Sequence, residues 1–266
     1  QKKISVTIIT MCVTATAASC ASSSLEKRTD AAGRIEQITV LKKGSVTARL
    51  AFEYDKGGRT ASVKKYIPLR ETSRIFTYDQ LGRLKFQSHH AVQTDKGKTI
   101  DDIWIESFYY NSSGQLLKTD TSFKSAYSIA LHTTPLLVAK YFYSNNRLSA
   151  IRLDAGLFRA NAAISYDNGS PSNIDYKKSN FNRQGRNYVM TQHTLFSMER
   201  GHPVRARDVI GAKDITQAED VKSAYAAAKM GELLKKVEYS ADVSVLLSDL
   251  TNQWALTACI TTYTDI

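Results

Sequence analysis

The sequence predicts a mainly β protein: a twisted antiparallel meander of β-hairpin repeats with a small helical C-terminal part. Three observations carry that prediction. A hairpin-shaped unit recurs along the chain, strand-like alternation dominates from residue 35 to about residue 198, and helical spacing of apolar residues appears only near the C-terminus.

The clearest unit spans residues 74–86. Phe76 and Tyr78 sit two apart, which on a strand places both rings on one face. Asp79-Gln80-Leu81-Gly82 reads as a turn, because Asp bonds its own backbone and Gly accepts a positive φ. Arg83-Leu84-Lys85-Phe86 resumes the alternation in a return strand. Residues 52–59 and 108–115 repeat the aromatic spacing, the Asp or Asn after Tyr, and the Gly four residues past that Tyr. Residues 141–148 shorten the loop by one residue, residues 164–169 carry an Asn-Gly turn, and residues 181–186 form a weaker copy. Gly33-Arg34-Ile35 reads as the return half of an earlier one. The turn glycines Gly58, Gly82 and Gly114 lie 24 and 32 residues apart. An irregular meander is therefore expected rather than a fixed-period solenoid or propeller.

The Tyr-Asp-x-x-Gly-Arg-Leu unit resembles the YD repeat of RHS-type bacterial envelope proteins. From about residue 33 to residue 250 the chain is similar to Bacteroidetes envelope lipoproteins of unknown function built from degenerate copies of that unit. The resemblance implies a fold and a compartment, and it brings no chemistry to named positions.

In order along the chain, residues 1–19 read as a lipoprotein signal peptide, with basic Lys2-Lys3, an apolar run from 4 to 13, and small residues before Cys20. Cys20 is the expected lipidation site, making the protein exported and anchored in the cell envelope. Residues 20–32 are Ser-rich and polar, as a tether should be. Residues 33–200 form the repeat domain, with strands expected over 35–40, 46–54, 60–66 and 73–78 and two more between 174 and 196. Gly201-His202-Pro203 is expected to end it. Residues 201–266 make an α+β extension packed on the same domain. Thr216-Gln217-Ala218-Glu219 has capping-box spacing, a helix follows to about Met230, and Gly231 suits its stop. Local propensity past Gly231 favours continuing the helix, whereas Gly231-Glu232-Leu233-Leu234 echoes the repeat and favours a last strand over 234–240, which is the expectation. Val243, Leu246, Leu247, Leu250 and Trp254 then recur at helical spacing, with Ser240 as N-cap.

The formal charge of +11 permits an anionic glycan, lipid or partner, although the basic residues are scattered and suit solvated hairpin edges. No nucleic-acid partner is expected of an exported chain without a basic recognition helix. Of three cysteines, Cys12 belongs to the signal and Cys20 to the anchor, leaving Cys259 as a buried small hydrophobe. Gly-x-Ser-x-Gly and His-Glu-x-x-His are absent from the sequence, and Val92 stands where a P-loop ending at Gly97-Lys98-Thr99 needs glycine.

Two groups of candidate ligand-binding residues remain. His89 and His90, with Asp101 and Asp102, could meet across a hairpin turning at Asp95-Lys96-Gly97. Neighbours on a strand face opposite ways, so only one His and one Asp can converge, short of the three protein ligands zinc needs. No metal or cofactor is expected. Tyr54, Tyr78, Tyr110, Tyr143 and Tyr166 form a stripe. Exposed, they would stack sugars; buried, they would be a ladder on one sheet face. The buried reading is the expected one, with binding left to loops at 89–102 and 125–135. The function expected is a non-catalytic envelope module that binds a glycan or another envelope protein. The alternatives are a glycan-directed hydrolase and a periplasmic lipid or lipoprotein carrier.

Overall fold

The computed structural model describes residues 23–67, 70–95, 98–125, 137–182, 187–242 and 244–248. Its strands are β1 (Ser23–Thr29), β2 (Ile35–Lys42), β3 (Ser45–Tyr54), β4 (Thr60–Ile67) and β5 (Arg70–Tyr78). They continue as β6 (Leu84–Asp95), β7 (Lys98–Tyr110), β8 (Leu116–Ser125), β9 (Leu137–Ser144) and β10 (Arg147–Asp154). The last are β11 (Phe158–Asp167), β12 (Ser170–Asn182), β13 (Asn187–Glu199), β14 (His202–Asp208) and β15 (Lys213–Ile215). All 15 form one open sheet in chain order, every neighbour antiparallel, so the mainly β meander is the observed fold. Two helices follow, α1 (Ala218–Ala227) and α2 (Met230–Ala241), and residues 244–248 are helical.

The turns close where the repeat places them. Tyr54 pairs with Thr60, Tyr78 with Leu84 and Tyr110 with Leu116, each across a bulge. Gly58, Gly82 and Gly114 sit at φ +80°, +80° and +83°. The Asp79 carboxylate accepts from the Leu81 and Arg83 amides, both at 2.9 Å, so the side chain holds the loop that the glycine lets close. Tighter two-residue turns need two positive φ values, which Asn145-Asn146 and Asn168-Gly169 supply.

Open twisted sheets this wide curl or split. Here a single buried cluster runs from Ile38 and Val40 through Phe108 and Tyr141 to Ala206, and it takes in Val221, Met230, Leu233 and Tyr239 of the helices. The helices cover one face of the sheet, its inner face.

Several expectations need correction. The polar stretch expected to be a tether forms β1, whose residues 23–29 pair with β2, because Asp30 and Gly33 build one more copy of the turn. Gly201 does not end the sheet. Arg200 and Gly201, at φ +49° and +81°, make another tight turn into β14. The N-cap of α1 is Gln217 rather than Thr216, with no side-chain capping bond. The left-handed residue after α1 is Lys229, at φ +56°, and Gly231 lies inside α2. Residues 234–240, expected as a strand, are helical. No Tyr-Asp turn precedes Gly231, and Leu233, Lys236 and Tyr239 bury one helical face. Ser240 is inside that helix, and Asp242 accepts from the Ser244 amide at the start of the next one. Residues 89–95 and 98–102 are not loop but facing strands of a long regular pairing. Expectations at residues 1–22, Cys12, Cys20, Cys259 and all of 125–135 except Ser125 lie outside the described residues.

Candidate functional site

The tyrosine stripe is a self-reinforcing ladder. Tyr54 Oη donates to the Ile35 carbonyl at 2.6 Å, Tyr78 Oη to Thr60 at 2.7 Å and Tyr110 Oη to Leu84 at 2.7 Å. Each acceptor is the first residue after the Gly-Arg of the preceding turn. The Arg of that turn lies over the same ring, with Arg34, Arg59 and Arg83 at 4.5, 4.6 and 4.5 Å from the three ring centres. Each Arg is held in place by its own turn aspartate, Asp30, Asp55 or Asp79, at 2.7 Å. Tyr143 Oη sits beside the Leu116 backbone without a fully formed bond, and Arg147 lies 5.8 Å over Tyr166. Burial raises all five hydroxyls above the ordinary phenol value, Tyr78 to about 12. The ring faces and hydroxyls of Tyr54, Tyr78 and Tyr110 are thus engaged by the framework of the preceding hairpin.

The molecule departs from its own repeat in the middle of the inner face. Two residues before the first aromatic of four copies stand Leu50, Arg74, Glu106 and Ala139, and Ala162 precedes Ile164 likewise in the fifth. Opposite that aromatic, the return strands carry Val63 in one copy but Gln87 and Thr119 in the next two. Apolar residues fill these places in the flanking hairpins, and polar ones in β5–β8. Cross-strand pairing lines them up in two adjacent rows. One is Arg74–His89–Trp104–Phe123 and the other Phe76–Gln87–Glu106–Thr121–Leu137.

These rows floor a cavity of about 460 Å³, roofed by Lys229, Glu232 and Lys236. Lys236 is only 4% exposed and Glu106 7%. Lys236 Nζ lies 2.7 Å from Glu106 Oε1 and 3.2 Å from Glu232 Oε1. The first contact is an ion pair off the line of a hydrogen bond, so Glu106 Oε1 has no aligned donor. Glu106 Oε2 accepts from Gln87 Nε2 at 2.9 Å. Burial works to lower the Lys236 pKa, but Glu106 and Glu232 together carry it above the usual value. Arg74 makes no hydrogen bond or ion pair with the described residues, and its buried Nε and the buried Gln87 Oε1 both lack partners there. Burial lowers the Arg74 pKa, yet a guanidinium remains charged.

His89 is stacked on Trp104, ring centres 5.1 Å apart, and Phe123 flanks Trp104 from the other side at 4.9 Å. The rings cover one another's faces, so the row offers edges to the cavity. Burial first, then Arg74, Arg70 and His90, push the His89 pKa down to about 4. The imidazole is neutral at physiological pH.

Of the candidates read from sequence, His89 lines this cavity and the five tyrosines build the ladder, with Tyr166 also bordering a larger neighbouring space beneath α2. His90, adjacent on the strand, points the other way. Asp102 pairs with Ala91 and Asp101 with Val92 in the backbone register, and their side chains lie outside the described residues. Among the described residues no three His, Cys, Asp or Glu side chains gather as a metal site would need. Sequence reasoning missed Arg74, Gln87, Trp104, Glu106 and Lys236. The signal was present for Arg74 and Glu106, since each sits in the inward register of the aromatics that follow it. No protein-family model and no curated protein matches this chain.

Proposed function

We propose that the protein is a non-catalytic binding module of the cell envelope that takes a glycan into the cavity under α2. In this reading the chain resembles the YD-repeat lipoproteins, is exported, and is held at the membrane by lipid on Cys20. The observation that carries it is the replacement of apolar repeat positions by Arg74, Gln87 and Glu106 beneath a lysine. Buried polar groups cost stability unless they are paired, so their concentration at one place argues for a task there. A saccharide suits such a wall. Its hydroxyls donate and accept, which matches a floor of mixed donors and acceptors that includes a cation and an amide. Glu106 is occupied by Lys236 and Gln87, an arrangement that holds a wall and leaves no free acid–base pair in those two groups, which favours binding over glycan hydrolysis. A lipid carrier would want a mainly apolar floor.

A glycan array probed with residues 21–266 tests the reading, run beside Thr121→Trp, whose larger ring fills the cavity. Retention by the native chain and loss in the variant is the expected result. No retention, or equal retention by both, overturns it.

A further inference from the structure

We infer that the ligand of this cavity is an acidic saccharide whose anionic group, carboxylate or phosphate, is seated at Arg74. The inference rests on the glycan reading above and adds the charge of the ligand.

The argument begins with an imbalance. The cavity is lined by Arg74, Lys229 and Lys236 against Glu106 and Glu232. Both carboxylates ion-pair with Lys236, and Glu106 also accepts from Gln87. That leaves Arg74 as a largely buried cation whose nearest charges among the described residues act only at a distance. A buried guanidinium without a bidentate partner is costly, and carboxylate or phosphate is the geometry its fork fits. Tyr239, the strongest electrostatic neighbour of Arg74 among the described residues, has a hydroxyl pushed well up by burial and carries no negative charge to offset it.

The neighbours of Arg74 point the same way. His89 and Trp104 follow it along one cross-strand row, and their exposed edges are the positive side of an aromatic ring. At the rim, Lys229 occupies a left-handed φ of +56°, where glycine is the ordinary choice. A lysine there accepts backbone strain and brings a further ammonium to the mouth. The chain's overall charge of +11 draws an anion toward such a site.

The test uses the full chain and reads the fluorescence of Trp104, with Trp254→Phe removing the other tryptophan. The probes are digalacturonic acid, glucose 1-phosphate, a neutral disaccharide of the same size, and inorganic phosphate. Digalacturonic acid or glucose 1-phosphate is expected to bind at least about tenfold tighter than the neutral disaccharide, the scale of a charge-assisted contact. Which of the two binds tells carboxylate from phosphate. Arg74→Gln is expected to erase that preference and Arg74→Lys to restore part of it. Should Arg74→Gln not fold, competition by inorganic phosphate on the native chain decides: displacement supports the site and its absence overturns it. Equal binding of acidic and neutral sugars overturns the anionic inference and leaves the glycan reading standing. Binding of phosphate with no saccharide bound overturns the glycan reading and the acidic-saccharide inference with it, leaving only an anion site at Arg74, and binding of no probe overturns both.

Discussion

Tyr78 Oη donates a 2.7 Å hydrogen bond to the carbonyl of Thr60, the residue that opens the return strand of the preceding hairpin. The bond ties one repeat to the one before it, and Arg59, lying over the same ring, ties it again. The repeat therefore has a physical unit larger than one hairpin. The turns at Asp30, Asp55 and Asp79 each supply an Asp-Arg pair on which the tyrosine of the next copy rests. Tyr78→Phe should cost about 1 kcal/mol, the value of a hydrogen bond whose acceptor is left behind. Tyr78→Ala should cost about 3–5 kcal/mol through lost packing. Urea denaturation of both variants checks the ladder, and an alanine variant as stable as native would remove it.

Gly82 has a φ of +80°, with Arg59 Nη1 3.6 Å from where a Cβ would stand. Space is adequate, so strain is the issue. Gly82→Val should lose about 1–2 kcal/mol or more, because a β-branched residue fits the left-handed region poorly. A thermal melt unchanged from native would refute the turn assignment.

Lys236→Met removes the cation from a buried pair and strands Glu106 in the core. A loss of about 3–5 kcal/mol is expected, against a much smaller one for Lys236→Met combined with Glu106→Leu. The double-mutant cycle in denaturant gives the coupling. Two additive single losses would mean the pair does not act as a unit.

His89 titrates near 4 when folded and at the ordinary histidine value of 6.5 when unfolded. Above pH 6.5 it is neutral in both states and its share of stability is intact. Below that the unfolded chain takes up the proton first, so stability falls as pH drops toward about 4. His89→Phe should flatten that part of the stability–pH curve. Parallel curves for the two proteins would show that the imidazole is not shielded.

Cys20→Ser should release the protein from membranes while leaving the sheet folded. Metabolic labelling with a fatty-acid analogue is the check, and a labelled serine variant would place the lipid elsewhere.

By itself the sequence determined the antiparallel meander, the turn glycines and the shared face of the tyrosines. Those follow from local rules: period-two alternation, Asp before a positive-φ Gly, and Asn-Gly where two such residues are needed. It did not decide residues 230–241. There a repeat echo pointed to a strand, and only burial of Leu233, Lys236 and Tyr239 against the inner face selected a helix. Nor could it decide the site. Arg74 and Glu106 lie 32 positions apart in the sequence and look like ordinary strand charges. Cross-strand register sets them in adjacent rows, and α2 closes over them with Lys236. Whether a charge is solvated or buried depends on what covers it, and that cover comes from the far end of the chain.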